Sequence, residues 1–534
     1  MNGTDNAVAQ GDRVAPDTQD EVIAFLRRPA SYGLGEGAAI ETAETHISIV
    51  FLAGEHAYKL KRAVEFPYLD FSTPELRRAA CEAELALNRR TAPELYREVR
   101  AISRRPDGSL GWGDGAPLDW VVIMRRFDQG QLLDRAARGG GLSAPLMLDL
   151  AAHIAAFHRD AEPRPDHGGA AVMREIATTN LRILRDRRAA GFDDAQIDAL
   201  EARVGEALAR VGAVLDARRV QDKVRRCHGD LHLRNICVYD GKPLIFDCIE
   251  FSEPIASVDV LYDLAFLLMD LVHYGERGFA NLMLNRYLDL TGEDDGLAAM
   301  PVFMALRAVI RAHVTASAAE HMPGAERDAQ FAEARRYVEA AVAMLQPQPA
   351  RLVAIGGLSG SGKSSLAVRL APELGVMPGA RVLRSDVLRK RHFGVMPEER
   401  LPPAAYGAGV TAQVYRELCE RAAAALDAGY AAMIDAVALR EEERRAFAAV
   451  AEKAGVPFTG LWLDAPAEAM RTRIESRRSD ASDATAPVLE QQLRADPGML
   501  DWQRIDAAGD LEQTAARARQ ALGLPLSRTA GEGG

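Results

Sequence analysis

One short stretch constrains this chain more than any other. Residues 357–364 read GLSGSGKS, the pattern G-x-x-x-x-G-K-[ST]. Gly357, Gly360 and Gly362 let backbone N–H groups converge on phosphate oxygens at the start of a helix. The flanks agree: RLVAIGG before it is an apolar strand, and SLAVRLAPEL after it is helical. Lys363 then meets the outer phosphates of a nucleotide and the Ser364 hydroxyl ligates magnesium, with Ser361 and Ser365 completing the loop. Beyond residue 350 the apolar runs LVAIGG, ARVLRSD, YAAMIDA and FTGLWLD each precede a helical stretch. That alternation predicts an α/β domain with a parallel sheet covered by helices.

In such a sheet ligands bind beyond the strand ends. Asp386 ends a strand there, and its carboxylate can accept the proton of a substrate hydroxyl. Arg389 and Lys390, on the following helix, are placed to hold an anionic substrate. Asp435, which ends the strand AAMID, is expected to orient magnesium through water. These features resemble small P-loop kinases such as gluconate kinase, the zeta-toxin group and polynucleotide 5′-kinases, over about residues 350–525. The resemblance makes the Arg-rich stretch 470–484 a lid over the nucleotide. Its Arg473 and Arg477, or Arg478 in place of Arg477, would stabilise the transferring phosphoryl group.

A second stretch, CHGDLHLRNICVYDGKPLIFD at 227–247, poses a choice. His228-x-Asp230-x-His232 suggests a metal trio, but no further His/Cys cluster of the zinc kind is evident. Phosphoryl transfer instead asks for a group that positions the acceptor hydroxyl, oxygen donors for magnesium and a cation on the phosphates. His228, Asp230 and Asn235 have the H-x-D-x-x-x-x-N spacing of a catalytic loop. An Asp240-Gly241 hairpin then folds the chain back, so that Asn235 and Asp247 can face one ion. The two histidines become framing residues.

Residues 228–251, with AFHRDA upstream, resemble the aminoglycoside phosphotransferase family, which is related to protein kinases. The resemblance spans roughly residues 30–345. It implies an α+β fold with a small β-rich lobe and a helical lobe, Asp230 as catalytic base, and Asn235 and Asp247 as magnesium ligands. It also asks for a phosphate lysine on an early strand, paired to a helix glutamate. Lys59 and Lys61 in YKLKR lie on one strand face. Lys59 is preferred, because Ala57-Tyr58 precedes it. The partner is Glu82 or Glu84, with Glu84 preferred because it shares a helix face with Ala80 and Leu87. Gly54 stands alone between the first strands where a glycine-rich loop belongs, and VVIMRRF would meet adenine.

The whole arrangement resembles bacterial fusions of an aminoglycoside phosphotransferase with an ATP-binding protein. The expected organisation is a disordered tail at 1–18, a kinase-like domain at 19–345, a linker at 346–350, a P-loop domain at 351–525 and a second disordered tail at 526–534. A net charge of −11 over 534 residues argues against a dedicated nucleic-acid binder. Five scattered cysteines without a C-x-x-C pair fit a reducing cytoplasm. The N-terminus has no apolar signal-peptide core. The apolar run 261–272 contains Asp263 and Asp270 and is too short to span a bilayer. The expectation is a cytoplasmic, ATP- and magnesium-dependent pair of kinases acting on small-molecule or nucleotide-type hydroxyl acceptors. Its rivals are a nucleotide-sensing protein whose N-terminal domain is a pseudokinase, and a zeta-toxin-like nucleotide-sugar kinase.

Overall fold

The computed structural model describes residues 18–66, 69–113, 115–476 and 481–525. Both expected tails, except Thr18, lie outside these residues, as do Arg477 and Arg478. The chain forms two compact units. Among the described residues, one comprises 18–168 and 219–264 and the other 169–218 and 265–525.

The first unit is built on a six-stranded antiparallel sheet. Its strands are β1 (Glu41–Glu44), β2 (Ser48–Ala53), β3 (His56–Lys61), β4 (Tyr96–Arg104), β5 (Leu110–Trp112) and β6 (Ala116–Arg125), in the order β1-β2-β3-β6-β4-β5. The turn Gly54-Glu55 joins β2 to β3, with Ala53 opposite His56. Helix α1 (Thr18–Leu26) was not expected; it places Val22, Phe25 and Leu26 against Ile49, Phe51, Leu60, Val121 and Ile123. Helix α2 (Pro74–Asn88) begins where Thr73 caps the Leu76 N–H and proline occupies the first turn. Its Cys81 joins Tyr96 and Val122 in the core, and the same face buries Glu84 and Asn88.

Helix α3 (Ala144–Asp160) follows, then β7 (Val224–Arg226), the hairpin β8 (Ile236–Tyr239) and β9 (Lys242–Ile245), and β10 (Ser257–Asp259). Asp240 and Gly241 take φ +49 and +77, the left-handed pair that a two-residue hairpin turn needs. Helix α4 (Val260–His273) starts in this unit.

The second unit holds helices Gly169–Asp186 and Asp194–Val220, then α5 (Arg277–Thr291), α6 (Met300–Ala319) and α7 (Gly324–Met344). The stretch Glu293–Ala319 is long and apolar enough to cross a membrane, and 78% of its apolar window is buried inside the unit as a core helix. The unit also holds a five-stranded parallel sheet: β11 (Leu352–Gly356), β12 (Arg381–Arg384), β13 (Ala432–Asp435), β14 (Phe458–Asp464) and β15 (Gln503–Asp506). Their order is β12-β13-β11-β14-β15. Helices α8 (Lys363–Leu370), α9 (Ser385–His392), α10 (Ala408–Asp427), α11 (Glu441–Ala454), α12 (Ala467–Glu475), α13 (Ala486–Arg494) and α14 (Leu511–Leu522) accompany the strands. Val353, Ile355, Leu366, Leu370, Met433 and Leu461 form the centre of its core.

A polar network explains why helices preceding residue 345 group with this sheet. Asn285 Oδ1 accepts the Val382 N–H at 2.7 Å, and the amides of Asn281 and Asn285 donate to the Ala380 carbonyl at 3.0 and 3.1 Å. Arg381, whose side chain is 1% exposed, pairs with Asp289 at 2.8 Å and Asp294 at 2.7 Å. Asp294 also receives Arg421 of α10 at 3.0 Å. A buried guanidinium requires such partners, and they come from α5 and the turn that follows it.

Candidate active sites

In the first unit the chain from Cys227 to His232 is irregular, and Asp263 near the start of α4 holds it. The Asp263 carboxylate accepts the N–H groups of His228 at 3.2 Å and Gly229 at 2.8 Å. The buried ring of His158, on α3, lies 3.1 Å from the same carboxylate. Gly229 has φ +85, and a Cβ there would meet Ala256 at 3.0 Å, so any other side chain would be strained and crowded. His228 is fully buried, with Nε2 donating to the Phe246 carbonyl at 2.9 Å and Nδ1 accepting the Asp230 N–H at 3.2 Å. That pairing is the neutral ring, and burial lowers its pKa below the usual histidine value.

Asn235 Nδ2 donates to Asp230 Oδ2 at 3.0 Å, and His232 Nε2 stands 3.3 Å from the same oxygen. The two histidine rings therefore serve different partners. A buried trio of His158, Cys227 and Asp263 does bring ligand atoms within 4.8 Å of one another, a cluster that the sequence spacing hid. Its groups already hold the loop, and Cys227 Sγ contacts the Val258 carbonyl at 3.5 Å. Asp247 follows β9 at φ +63, a conformation uncommon outside glycine. Asn235 and Asp247 offer the oxygen donors that magnesium takes.

Lys59 and Lys61 both project from β3 toward Glu84 of α2. Lys59 Nζ reaches Glu84 Oε1 at 2.8 Å and Asp247 Oδ1 at 2.5 Å. Lys61 pairs with the other Glu84 oxygen and with Glu250. Glu82, the alternative partner, is exposed and pairs with Arg78 at 2.8 Å. Burial favours a neutral amine at Lys59, but Asp247 and Glu84 overcome it and hold its pKa well above the usual lysine value. Burial alone would raise the Glu84 pKa; the two lysines bring it down to about 2.

In the second unit residues 357–362 link β11 to α8. A Cβ on Gly360 (φ +82) would lie 2.5 Å from the Met470 carbonyl, and one on Gly357 (φ +134) 2.8 Å from that of Leu463. Lys363 Nζ folds onto the Leu358 carbonyl at 3.0 Å. Ser361 Oγ is buried without a hydrogen-bond partner, an orphan that a phosphate oxygen or its water would satisfy. The Ser364 hydroxyl donates to Asp435 Oδ2 at 2.6 Å. This hydroxyl–carboxylate pair is a hard oxygen set that fits magnesium. Exposed Ser365 begins the outer face of α8.

A cleft of about 960 Å³ runs from this loop past Asp386 to Arg389, Arg400, Tyr406, Tyr415 and Arg440. Burial raises the Asp386 pKa above its usual value, against a hydrogen bond from Ser482 and the charge of Arg384. Arg389 is 5% exposed; it donates to the Ala405 carbonyl at 2.8 Å and stacks on Tyr406, while its buried Nε has no hydrogen-bond partner. Lys390 does not line the cleft: it is buried on the Pro397 carbonyl at 2.8 Å and Asp483 at 3.1 Å. Arg473 lines the cleft, yet its guanidinium is tied to the carbonyls of Ser361 at 3.3 Å and Ala507 at 2.9 Å. It braces the phosphate loop in this arrangement.

Two family models match. Residues 58–302 match the phosphotransferase enzyme family and residues 352–496 an AAA domain. The uncharacterized proteins Rv2004c of Mycobacterium tuberculosis and Mb2027c of Mycobacterium bovis are each 30% identical over 491 residues, covering 90% of this chain and 94% of each relative. The chain belongs to their family. It joins a phosphotransferase-family domain to a P-loop kinase domain, and it is a kinase-type phosphotransferase. Among solved structures, a sugar kinase from Janibacter sp. HTCC2649 is 28% identical over 33% of this chain and 96% of its own, with a TM-score of 0.25. A choline kinase from Cryptosporidium parvum is 11% identical over 61% of this chain and 95% of its own, with a TM-score of 0.38.

Some residues of this two-domain phosphotransferase escaped the sequence reading. Arg384, at the end of β12, reaches Ser364 Oγ at 3.1 Å and Asp435 Oδ2 at 3.3 Å. Its signal was its place two residues before Asp386 at a strand end. Glu250 lies three residues beyond Asp247 and was legible only as an acidic residue in a loop. Asp263 was one of several helix acids, and nothing in its spacing marked it as the anchor of the loop.

Proposed function

We propose that the chain carries two ATP- and magnesium-dependent kinase sites, on modules 19–345 and 351–525 divided at 346–350. Each would transfer the γ-phosphoryl group of ATP to a hydroxyl. The observation that carries the reading is the single cleft in which Lys363, Ser364 and Asp435 stand at one end and Asp386 beside them. Phosphoryl transfer needs a phosphate cation, a magnesium ligand and a carboxylate for the acceptor hydroxyl within one pocket. Beyond Asp386 the cleft is lined by Arg389, Arg400 and Arg440, and the partnerless Nε of Arg389 favours an acceptor with an anionic group. In the other module Asp230 serves as base, Asn235 and Asp247 as magnesium ligands, and Lys59, held by Glu84, as phosphate cation. A cytoplasmic location accords with these cofactors.

The test is γ-phosphoryl transfer from labelled ATP to a panel of hydroxylated metabolites, with and without anionic groups. Asp386→Asn should abolish labelling of one class and Asp230→Asn of another. If both variants label every acceptor like the parent protein, the assignment fails. A second reading has one observation in its favour: only the two-residue Gly54-Glu55 turn joins β2 to β3, a scant cover for phosphates. A nucleotide-sensing first module would bind ATP by calorimetry and label nothing.

A further inference from the structure

Five charged side chains in the first unit form one alternating chain. Asp247 pairs with Lys59, Lys59 with Glu84, Glu84 with Lys61, and Lys61 with Glu250. Its two ends are only three residues apart in sequence, so the chain closes into a ring through β3 and α2. Solvent access differs sharply around it. The Asp247 side chain is 43% exposed and that of Lys59 11%, whereas Lys61, Glu84 and Glu250 are 1%, 0% and 4% exposed. The open end holds the groups assigned to magnesium and phosphate; the sealed end holds groups with no such assignment.

That asymmetry has a mechanical meaning, which rests on the reading of Lys59 and Asp247 given above. Nucleotide phosphates and magnesium compete with the direct Lys59–Asp247 contact. Once they do, that contact no longer fastens the segment after β9 to β3. The Lys61–Glu250 pair is out of reach of water and of ligand, and a buried pair of this kind persists because breaking it strands a charge. We infer that Lys61 is a positioning residue: through Glu250 and Glu84 it keeps the segment bearing Asp247 in register with the strand bearing Lys59 while both take up nucleotide.

The backbone supplies a readout that is independent of turnover. The N–H groups of Phe246, Asp247, Cys248 and Ile249 are bound to Asn235 O, the Tyr96 hydroxyl, Asn88 Oδ1 and His228 O. Their hydrogen exchange therefore reports whether the segment stays docked. The experiment uses the full chain carrying Lys363→Ala, which disables the P-loop phosphate cation, with Mg·AMP-PNP as probe. Lys61→Met alone leaves two buried carboxylates facing each other and can unfold the unit. The informative variant is Lys61→Met with Glu250→Gln, which removes the charges and keeps the shape; Lys61→Arg is the conservative control.

The paired variant should bind Mg·AMP-PNP about tenfold more weakly. Exchange at 246–249 should match the parent without nucleotide and become several-fold faster with it. Lys61→Arg should restore both. Unchanged affinity, or exchange raised equally with and without nucleotide, overturns the inference, the second result making the pair a static strut. Lys59→Ala separates the two levels: if it too leaves affinity unchanged, the reading of the site itself fails.

Discussion

The Ser364 hydroxyl donates to the Asp435 carboxylate across 2.6 Å, joining the first turn of α8 to the end of β13. On the proposed reading, the contact preassembles two oxygens for the magnesium ion of a bound nucleotide. Ser364→Ala should lower turnover at the P-loop site by about 10²-fold or more, as loss of a preorganised electrostatic contact does. Magnesium titration of the rate should show a raised half-saturation. Turnover at the Asp230 site, followed with its own acceptor, should not change.

Asp386 carries a pH prediction. Burial raises its pKa above the usual aspartate value of 3.8. As the proposed base, Asp386 must be deprotonated to accept the acceptor proton, so kcat/KM at this site should fall as pH drops through that raised value. The acidic limb should therefore lie above the ordinary aspartate range and vanish with the residual rate of Asp386→Asn. The folded state disfavours the charged carboxylate, so at neutral pH the same substitution should raise Tm. A drop in Tm would contradict the burial argument.

Asp263 holds two backbone N–H groups and faces His158 in a dry setting. Asp263→Ala should cost about 2–3 kcal/mol or more, because charge-assisted hydrogen bonds are lost and their donors stay buried. Denaturant unfolding measures the cost. Cys227→Ala, at the neighbouring position, keeps the Asp263 carboxylate and its backbone hydrogen bonds and should cost far less.

Arg381 is a further point of leverage. Arg381→Met leaves Asp289 and Asp294 without their shared cation, and Asn285 loses one of its donors. Removing one partner of a buried ion cluster costs about 3–5 kcal/mol. Thermal unfolding of the full chain should show the loss, and P-loop turnover should disappear at a lower temperature than in the parent. Adding Asp289→Asn should recover part of the stability, because it removes one of the stranded charges.

Local chemistry was readable where it is dictated over a few residues. The Asp240-Gly241 turn needs two left-handed residues, and the phosphate loop needs Gly357 and Gly360 where a Cβ would strike Leu463 and Met470. Those demands leave marks at fixed spacing. The choice between Glu82 and Glu84 was a matter of helix face, and α2 turns Glu84 inward while Glu82 meets Arg78 in solvent. What stayed hidden depends on partners far along the chain. Lys61 and Glu250 are 189 residues apart, and Arg381 reads as an ordinary strand cation until α5 surrounds it. Arg389 and Lys390 are neighbours in sequence, yet one lines the cleft and the other faces Asp483. Helix α1 is only nine residues long, and its place against the sheet comes from Val22, Phe25 and Leu26 acting together.

The side-chain amides of Asn281 and Asn285 have a consequence for handling the protein. Strand β12 is the last strand on its side of the sheet, and these amides occupy the Ala380 carbonyl and the Val382 N–H. They act as a stopper on an edge that would otherwise recruit a strand from another molecule. Cutting the chain at 346–350 removes the stopper with α5 and uncovers an adhesive edge. The fragment 351–525 is therefore expected to self-associate on expression, and its insolubility would report a lost cover rather than a failure of the P-loop fold.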